Sequence, residues 1–230
     1  MQLVRRLLRI DAAVALTAVL ALLAACAPPA PTPTELLEKT AQKVATASSV
    51  RFTLVRVGDP IVLDRAAGLS FTEATGDLAA PNRVRAKLKV ISPVGAVTVE
   101  ALWIPEGVYV SNPFTGAFTP LPTRPGFDPS ALLGADGVPG ILRSITRNAS
   151  IVGKEKIAAV EAHHIRAEAD GAKISALTGG VVVSGTHTVD VWIDVATSLL
   201  IRLTATEPGG VASWRLDLSD YDKPVEIGKP

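Results

Sequence analysis

Residues 83–90 have the sequence RVRAKLKV, in which cationic and apolar side chains alternate without exception. Val84, Ala86, Leu88 and Val90 therefore lie on one side of an extended chain, and the arginines and lysines lie on the other. Because successive side chains of a β-strand point to opposite faces, the stretch predicts a strand with one buried and one wet face. One-sided strands of this kind are typical of antiparallel sheets.

The same two-residue period recurs along the chain. It is present in AVTVEALWI (96–104), GVYV (107–110), THTVDVWID (186–194), LLIRLTAT (199–206) and ASWRLDLSDY (212–221). Turn-forming residues separate these runs, so the pattern predicts a large antiparallel sheet.

Helical periodicity is found in a few places. TELLEKTAQKVATASS (34–49) places Leu37, Ala41, Val44 and Ser48 on one helical face, and Thr34 is predicted as its N-cap. DPSALLG (128–134), with Asp128 as N-cap, and VPGILRSITRNA (138–149) predict a central helical block, and AKISALTGG (172–180) is a weaker helix candidate. Strands, a helical block and further strands indicate an α+β fold.

The N-terminus has the features of an export signal. Arginines precede an apolar run from Ala12 to Ala25, and Cys26 follows small residues. The run is shorter than the roughly 20 residues that a membrane-spanning helix needs. The segment resembles a bacterial lipobox, in which the cysteine is acylated and becomes the mature N-terminus. A single-pass anchor and a plain secretory signal are the alternatives.

The resulting organisation has three parts. Residues 1–25 are predicted to be a lipoprotein signal peptide, and residues 26–34 an acylated Cys26 with a Pro-rich tether, APPAPTPT. Residues 35–230 are predicted to be a single domain. The expected location is the extracytoplasmic face of the cell membrane, with the protein held there by lipid.

The net charge limits the classes of function that are possible, and the cysteine content limits how the domain is stabilised. Three arginines and one aspartate precede Cys26, so their removal changes the formal net charge from +1 to −1. A nearly neutral domain has no electrostatic basis for binding nucleic acid. Cys26 is the single cysteine, so the domain has no thiol left for an intrachain disulfide.

Catalytic and metal-binding motifs are missing from the sequence. It contains no G-x-S-x-G, H-E-x-x-H, Walker, dinucleotide-binding or EF-hand pattern. His163 and His164 are adjacent and should point to opposite faces of a strand, His187 lies in an alternating strand, and Asp190 and Asp194 show no converging base or nucleophile. We therefore predict no catalytic residue, no metal site and no cofactor.

Several phrases resemble the LppX/LprG-type bacterial lipoproteins in order and spacing. They are SNPFTGAFTPLP (111–122), FDPSALLGADGVPGILRS (127–144), VGKEKIAAVEAHHIRAEAD (152–170), VDVWIDVATSLLIRL (189–203) and LSDYDKPVEI (218–227). The resemblance covers nearly the whole chain after Thr34, although residues 58–80 match no phrase. It implies a strongly curved antiparallel β half-barrel with helices covering the concave face, similar to the LolA/LolB carriers.

The resemblance also implies a function. Family members hold acylated lipid or glycolipid, with chains such as palmitate, in an apolar cavity and carry or present it in the cell envelope. We predict the lining from this implied cavity together with the alternation of the strands. If the alternation of a strand were misread by one residue, its whole set of lining residues would lie on the other face. The predicted lining residues are Leu54, Val84, Leu88, Val90, Val97, Val99, Trp103, Val110, Leu132, Leu133, Ile141, Ile145, Val189, Val191, Ile193 and Leu216.

Two alternatives to a lipid carrier remain at this point. The same apolar faces could form a filled core in a structural or sensor module that binds an envelope protein, for example a membrane transporter. An envelope hydrolase would need a site that carries no recognisable motif. The volume between sheet and helices separates the first alternative from a carrier, because a carrier needs room for hydrocarbon.

Overall fold

The computed structural model describes residues 30–230 except 67, 122–128, 178–181 and 183–184. Residues Thr32–Pro230 form one compact unit. The predicted signal peptide, Cys26, the Asp128 cap and the glycines at 179 and 180 lie outside the described residues.

The described unit contains three α-helices, two short 3₁₀ helices and twelve strands. The helices are α1 (Pro33–Thr46), α2 (Val138–Ser144) and α3 (Gly171–Leu177), and the 3₁₀ helices are Pro129–Leu133 and Thr146–Asn148. The strands are β1 (Ser49–Val57), β2 (Ile61–Asp64), β3 (Leu69–Ala79), β4 (Arg83–Ser92), β5 (Gly95–Ile104), β6 (Gly107–Ser111), β7 (Phe118–Pro120), β8 (Ser150–Ile157), β9 (Val160–Asp170), β10 (Thr186–Asp194), β11 (Leu200–Thr206) and β12 (Ser213–Ser219).

The strands form one open, curved antiparallel sheet in the order β7-β6-β5-β4-β3-β1-β12-β11-β10-β9-β8, with β2 beside β3. Strands β1 and β12 pair near the middle of the sheet, where Leu54 lies opposite Leu216. The first and last strands of the chain thus join the two halves of the sheet. The predicted α+β half-barrel is confirmed.

The alternation in residues 83–90 corresponds to strand β4, as predicted. Val84, Ala86 and Val90 are buried and Leu88 is half-buried, whereas Arg85 and both lysines are exposed. Residues 84–92 of β4 each have a β5 partner in register, so paired residues of the two strands point to the same face. The buried face is the concave one, which the helices cover.

Helix α1 begins two residues earlier than the sequence pattern predicted, and it ends at Thr46, so Ser48 is exposed and not part of the helical face. Its N-cap is Thr32, not Thr34, and Pro33 occupies the first helical turn. The Glu35 backbone N–H donates to Thr32 Oγ1 (3.3 Å), and the Thr32 backbone N–H donates to Glu35 Oε2 (2.8 Å). This capping box satisfies two otherwise unpaired donors and explains why the prediction of Thr34 was wrong.

Helices α1 and α2 pack against each other and over the concave face near the start of β1. Leu37 and Val44 of α1 are fully buried, as is Leu142 of α2. Thr40 and Lys43 donate to the carbonyl oxygens of residues 198 and 197 in the β10–β11 turn, at 3.1 and 2.5 Å. This end of the concave face is therefore a filled core.

A row of small residues crosses the sheet on the same face. Gly76 of β3 lies opposite Ala86 of β4, which in turn lies opposite Ala101 of β5. A Cβ atom added to Gly76 would lie 2.2 Å from the carbonyl oxygen of Arg85 and 2.7 Å from the Cα of Ala86. The two strands are thus too close here for any side chain.

We expect Gly76→Ala to lower the free energy of unfolding by about 2 kcal/mol or more, because the backbone of β4 must move away. Urea unfolding would measure the change. Gly153→Ala is the control, since a Cβ there meets no atom within 4 Å, and its effect should stay within about 1 kcal/mol. Equal effects of the two substitutions would contradict the crowding explanation.

Candidate ligand-binding site

All twelve strand residues of the predicted lining lie on the concave face. Their register pairs connect them: Leu54 with Leu216, Leu88 with Val99, Val84 with Trp103, and Val90 with Val97. Val110 pairs with Ala101 of the same face. Their assignment to a ligand remains a prediction, but the sheet does place them on one continuous surface.

These residues fall into two groups by exposure. The first group is buried and consists of Val84, Val90, Val189, Val191, Ile193 and Leu216. The second group is half-buried and consists of Leu54, Leu88, Val97, Val99, Trp103 and Val110. We call the second group the concave strip. It runs from the middle of the sheet across β4 and β5 to β6, so the partly open apolar surface lies on one half of the sheet.

The four predicted lining residues of the helical block also divide into a buried and a half-buried group. Leu133 and Ile145 are 5% and 0% exposed and belong to the core, whereas Leu132 and Ile141 are half-buried and pack against it. The 3₁₀ helix that carries Leu132 contacts β4. The strip is thus bounded by apolar side chains of the helical block on the side toward α2.

A buried ion pair lies on the same face at the opposite end of β1. The guanidinium of Arg56 contacts both carboxylate oxygens of Glu207, and the two side chains are 6% and 8% exposed. The Arg56 guanidinium lies 5.2 Å from the centre of the Trp214 ring, and the Trp214 N–H donates to Glu207 at 3.3 Å. The hydrogen bond from Arg56 lowers the pKa of Glu207 below its usual range.

This ion pair between Arg56 and Glu207, called the inner ion pair below, was not predicted from the sequence. Arg56 and Glu207 are 151 residues apart, so nothing local connects them. A signal was nevertheless present: Arg56 follows Phe52 and Leu54 at two-residue spacing, and Glu207 follows Leu203 and Ala205 in the same way. Each charge occupies an inward position of an alternating strand, and an inward charge requires a partner.

A second polar cluster lies on the outer face. His164 Nε2 is 2.6 Å from Asp190, His164 Nδ1 is 2.8 Å from Glu155, and the ring stacks on Trp192 with centroids 4.5 Å apart. Arg166 Nε donates to Asp190 at 2.8 Å. His163 and His164 occupy opposite faces, as predicted, because they are consecutive in β9. The sheet therefore separates this cluster from the concave strip.

Asp194 has a different role from Asp190. Its carboxylate accepts hydrogen bonds from the backbone N–H groups of Ala196 and Thr197, at 2.7 and 3.2 Å. Although burial opposes it, this bonding lowers the pKa of Asp194. Asp194 thus fixes the β10–β11 turn, and the two aspartates do not form a pair.

The outer face also carries a surface groove of about 500 Å³ between the C-terminal segment and strands β1, β3, β4 and β5. Its lining is largely charged, and Arg51 and Arg85 are paired there with Asp77 and Glu100. Ile227 of the C-terminal segment is buried against Leu102 and Ile104. This groove therefore lacks the continuous apolar lining that an acyl chain needs.

Within the part of the chain that the structure describes, no group of three or more His, Cys, Asp or Glu side chains is arranged to hold a metal ion. In the same residues no helix combines the length and apolar character needed to cross a membrane.

The fold and the strip together define the class of protein. It is an open antiparallel half-barrel with helices over its concave face and a partly uncovered apolar strip beside them. The chain matches the LppX_LprAFG lipoprotein family over residues 32–227 and belongs to that family. Membership in this family supports a role as a lipid-binding carrier, at the level of the family and without a specific ligand. The family match confirms the resemblance to LppX/LprG-type lipoproteins that the sequence phrases indicated.

Two solved structures have the same fold. LprF from Mycobacterium bovis superposes with a TM-score of 0.69 at 17% identity, covering 89% of this chain and 99% of LprF. LppX from Mycobacterium tuberculosis superposes with a TM-score of 0.61 at 20% identity, covering 85% of this chain and 98% of LppX. The chain matches none of the curated proteins with which it was compared.

Proposed function

We propose that this protein is a membrane-anchored carrier that holds the acyl chains of a lipid or glycolipid against the concave strip and performs no catalysis. The observation that carries the proposal is the uneven covering of the concave face. Under α1 the face is filled, whereas the concave strip keeps half-buried apolar side chains on β1, β4, β5 and β6, with the buried Ala74 of β3 between Leu54 and Leu88. Family membership supports the same conclusion.

The free energy available from such a strip is large. Burying one methylene is worth about 0.8 kcal/mol, so a sixteen-carbon chain loses on the order of 12 kcal/mol when it is exposed to water. A lipid that leaves a bilayer therefore needs an apolar surface to replace it. The strip offers aliphatic side chains, which accept hydrocarbon without specific geometry.

Helix α2 is the element most suited to move when lipid enters. It has only seven residues, and its N-cap residue, Gly137, has no side chain that could cap the helix by a hydrogen bond. Helix α1, in contrast, has fourteen residues and a complete capping box. Movement of α2, which contacts the 3₁₀ helix Pro129–Leu133, would uncover Leu133 and enlarge the apolar surface beside the strip.

The proposed location follows from the N-terminal segment. Residues 1–25 would be removed, Cys26 would carry acyl chains, and residues 27–34 would separate the domain from the membrane. Two or more chains anchor a protein stably, whereas a single chain gives reversible binding. The domain would then act at the extracytoplasmic surface of the cell envelope.

The test is to purify the chain without residues 1–26, offer it phospholipid vesicles, remove them and record native mass spectra. We expect a folded protein that carries lipid in a defined ratio. A protein that stays empty with every phospholipid and glycolipid offered would contradict the proposal. The filled core beneath α1 would then favour a non-catalytic module that binds an envelope protein.

A further inference from the structure

The three tryptophans of the chain differ in how their indole N–H groups are used. Trp192 donates to Glu155 at 2.5 Å, and Trp214 donates to Glu207 at 3.3 Å. The Nε1 atom of Trp103 is closed to solvent, and among the described residues no atom accepts its hydrogen bond. A buried donor without an acceptor is rare in folded proteins, because its desolvation is not compensated.

Trp103 lies in the concave strip. It pairs with Val84 of β4 and Val108 of β6, and its ring packs against the edge of the hydrophobic core. Val99 lies four residues earlier on the same face of β5, at a distance of about 13 Å along the strand. The unpaired N–H is thus attached to the same apolar surface that we propose for the acyl chains.

An indole group combines an apolar ring with one hydrogen-bond donor and no acceptor. In bilayers, tryptophan accordingly collects where hydrocarbon meets the first polar groups of the lipid. The first polar atom after an acyl chain is the carbonyl oxygen of its ester or amide link, which is an acceptor. Trp103 therefore offers the donor that this oxygen would lose on leaving the bilayer interface.

We propose that Trp103 Nε1 donates a hydrogen bond to the acyl carbonyl oxygen of the bound lipid. The carbonyl then lies at the Trp103 end of the strip, and the chain extends along β5 toward Val99 and Val97. This inference rests on the proposed function, and it adds a specificity: carbonyl-linked chains are preferred over ether-linked ones. Because Nε1 is closed to solvent, the carbonyl reaches it only when neighbouring side chains separate.

A competition experiment tests the preference. The chain without residues 1–26 retains the whole compact unit Thr32–Pro230, and it is offered vesicles with equal amounts of dipalmitoyl phosphatidylglycerol and its dihexadecyl ether analogue. The ratio of the two lipids extracted from the protein is then measured. Wild type should favour the ester by about fivefold to tenfold, the range of one net hydrogen bond.

The variant Trp103→Phe keeps an aromatic ring and removes the N–H. We expect its ester-to-ether ratio to fall to about one because the uptake of the ester falls, with no fall in its unfolding midpoint. Trp192→Phe, on the outer face, is the control and should keep the wild-type ratio. If Trp103→Phe does not fold, Trp103→Leu also lacks the N–H and serves the same purpose.

The outcomes separate the two proposals. If wild type takes up both lipids equally, or if the Trp103 variants keep the wild-type ratio, the hydrogen bond to the carbonyl is disproved and lipid binding stands. If wild type takes up neither lipid, while it remains folded, the proposed function fails first. A lower total uptake with an unchanged ratio would assign Trp103 to packing alone.

Discussion

Val99→Asp should reduce lipid binding by more than about 100-fold, while the domain remains folded. Val99 is half-buried and pairs with Leu88 in the middle of the concave strip. An acyl chain laid over this position would remove water from the new carboxylate without supplying a partner, at a cost of about 3 kcal/mol or more. Native mass spectrometry after vesicle loading would measure the loss.

The matched control is Val160→Asp. Val160 is 38% exposed at the start of β9, on the far half of the sheet, and its replacement makes the same change in size and charge. It should leave lipid loading within about twofold of wild type, since the new carboxylate stays in water. Equal loading of the two variants would show that the strip does not contact the lipid.

Glu207→Leu should lower the free energy of unfolding by about 3–5 kcal/mol, because it leaves the buried guanidinium of Arg56 without its partner. The N–H of Trp214 loses its acceptor in the same variant. The double variant Arg56→Met/Glu207→Leu should recover most of this loss, since apolar replacements of a buried pair are often nearly neutral. Urea unfolding of the three proteins would measure both effects.

An exposed ion pair provides the control. Arg51 and Asp77 are joined at 2.8 Å on the outer face, where their side chains are 53% and 29% exposed. Asp77→Asn should change the free energy of unfolding by less than about 1 kcal/mol. If Glu207→Leu changes the free energy of unfolding as little as Asp77→Asn does, the inner ion pair is in contact with water, which would contradict its burial.

The inner pair also predicts the direction of a pH effect. Arg56 lowers the pKa of Glu207 in the folded protein, so the pair stabilises the fold fully above the ordinary glutamate pKa of about 4.3. This contribution is lost as the pH falls through the lower pKa of the folded state. The stability difference between wild type and Glu207→Leu should therefore shrink in acid, which unfolding curves at several pH values would show.

From the two-residue period the sequence assigned faces in β1, β4, β5, β6, β10 and β12, and it made no assignment in β3, where that period is interrupted. In β3 a register shift between Phe71 and Glu73 breaks the alternation, and Gly76 leaves an inward position without a side chain. Residues 58–80 resemble no family phrase, but the family match covers them and β3 lies between β1 and β4 in the sheet. Local pattern is informative only while the strand remains regular.

The candidate site was predictable in part for the same reason. Alternation placed all twelve strand residues of the predicted lining on one face, but it carried no information about which of them are covered. The inner ion pair shows the limit most clearly. Its two charges occupy inward positions that the sequence reveals, but their contact depends on the path β1-β12-β11 through the sheet.

By itself, the sequence determined that this chain forms one-sided strands around an apolar surface, because a period of two assigns each side chain to a face. Only the tertiary structure decided that Val189, Val191 and Ile193 are sealed in a core while Leu88, Val99 and Trp103 stay half-buried. The physical reason is that exposure depends on what lies above a side chain. In this fold that is set by where α1 and α2 pack, and they meet the strands from distant parts of the chain.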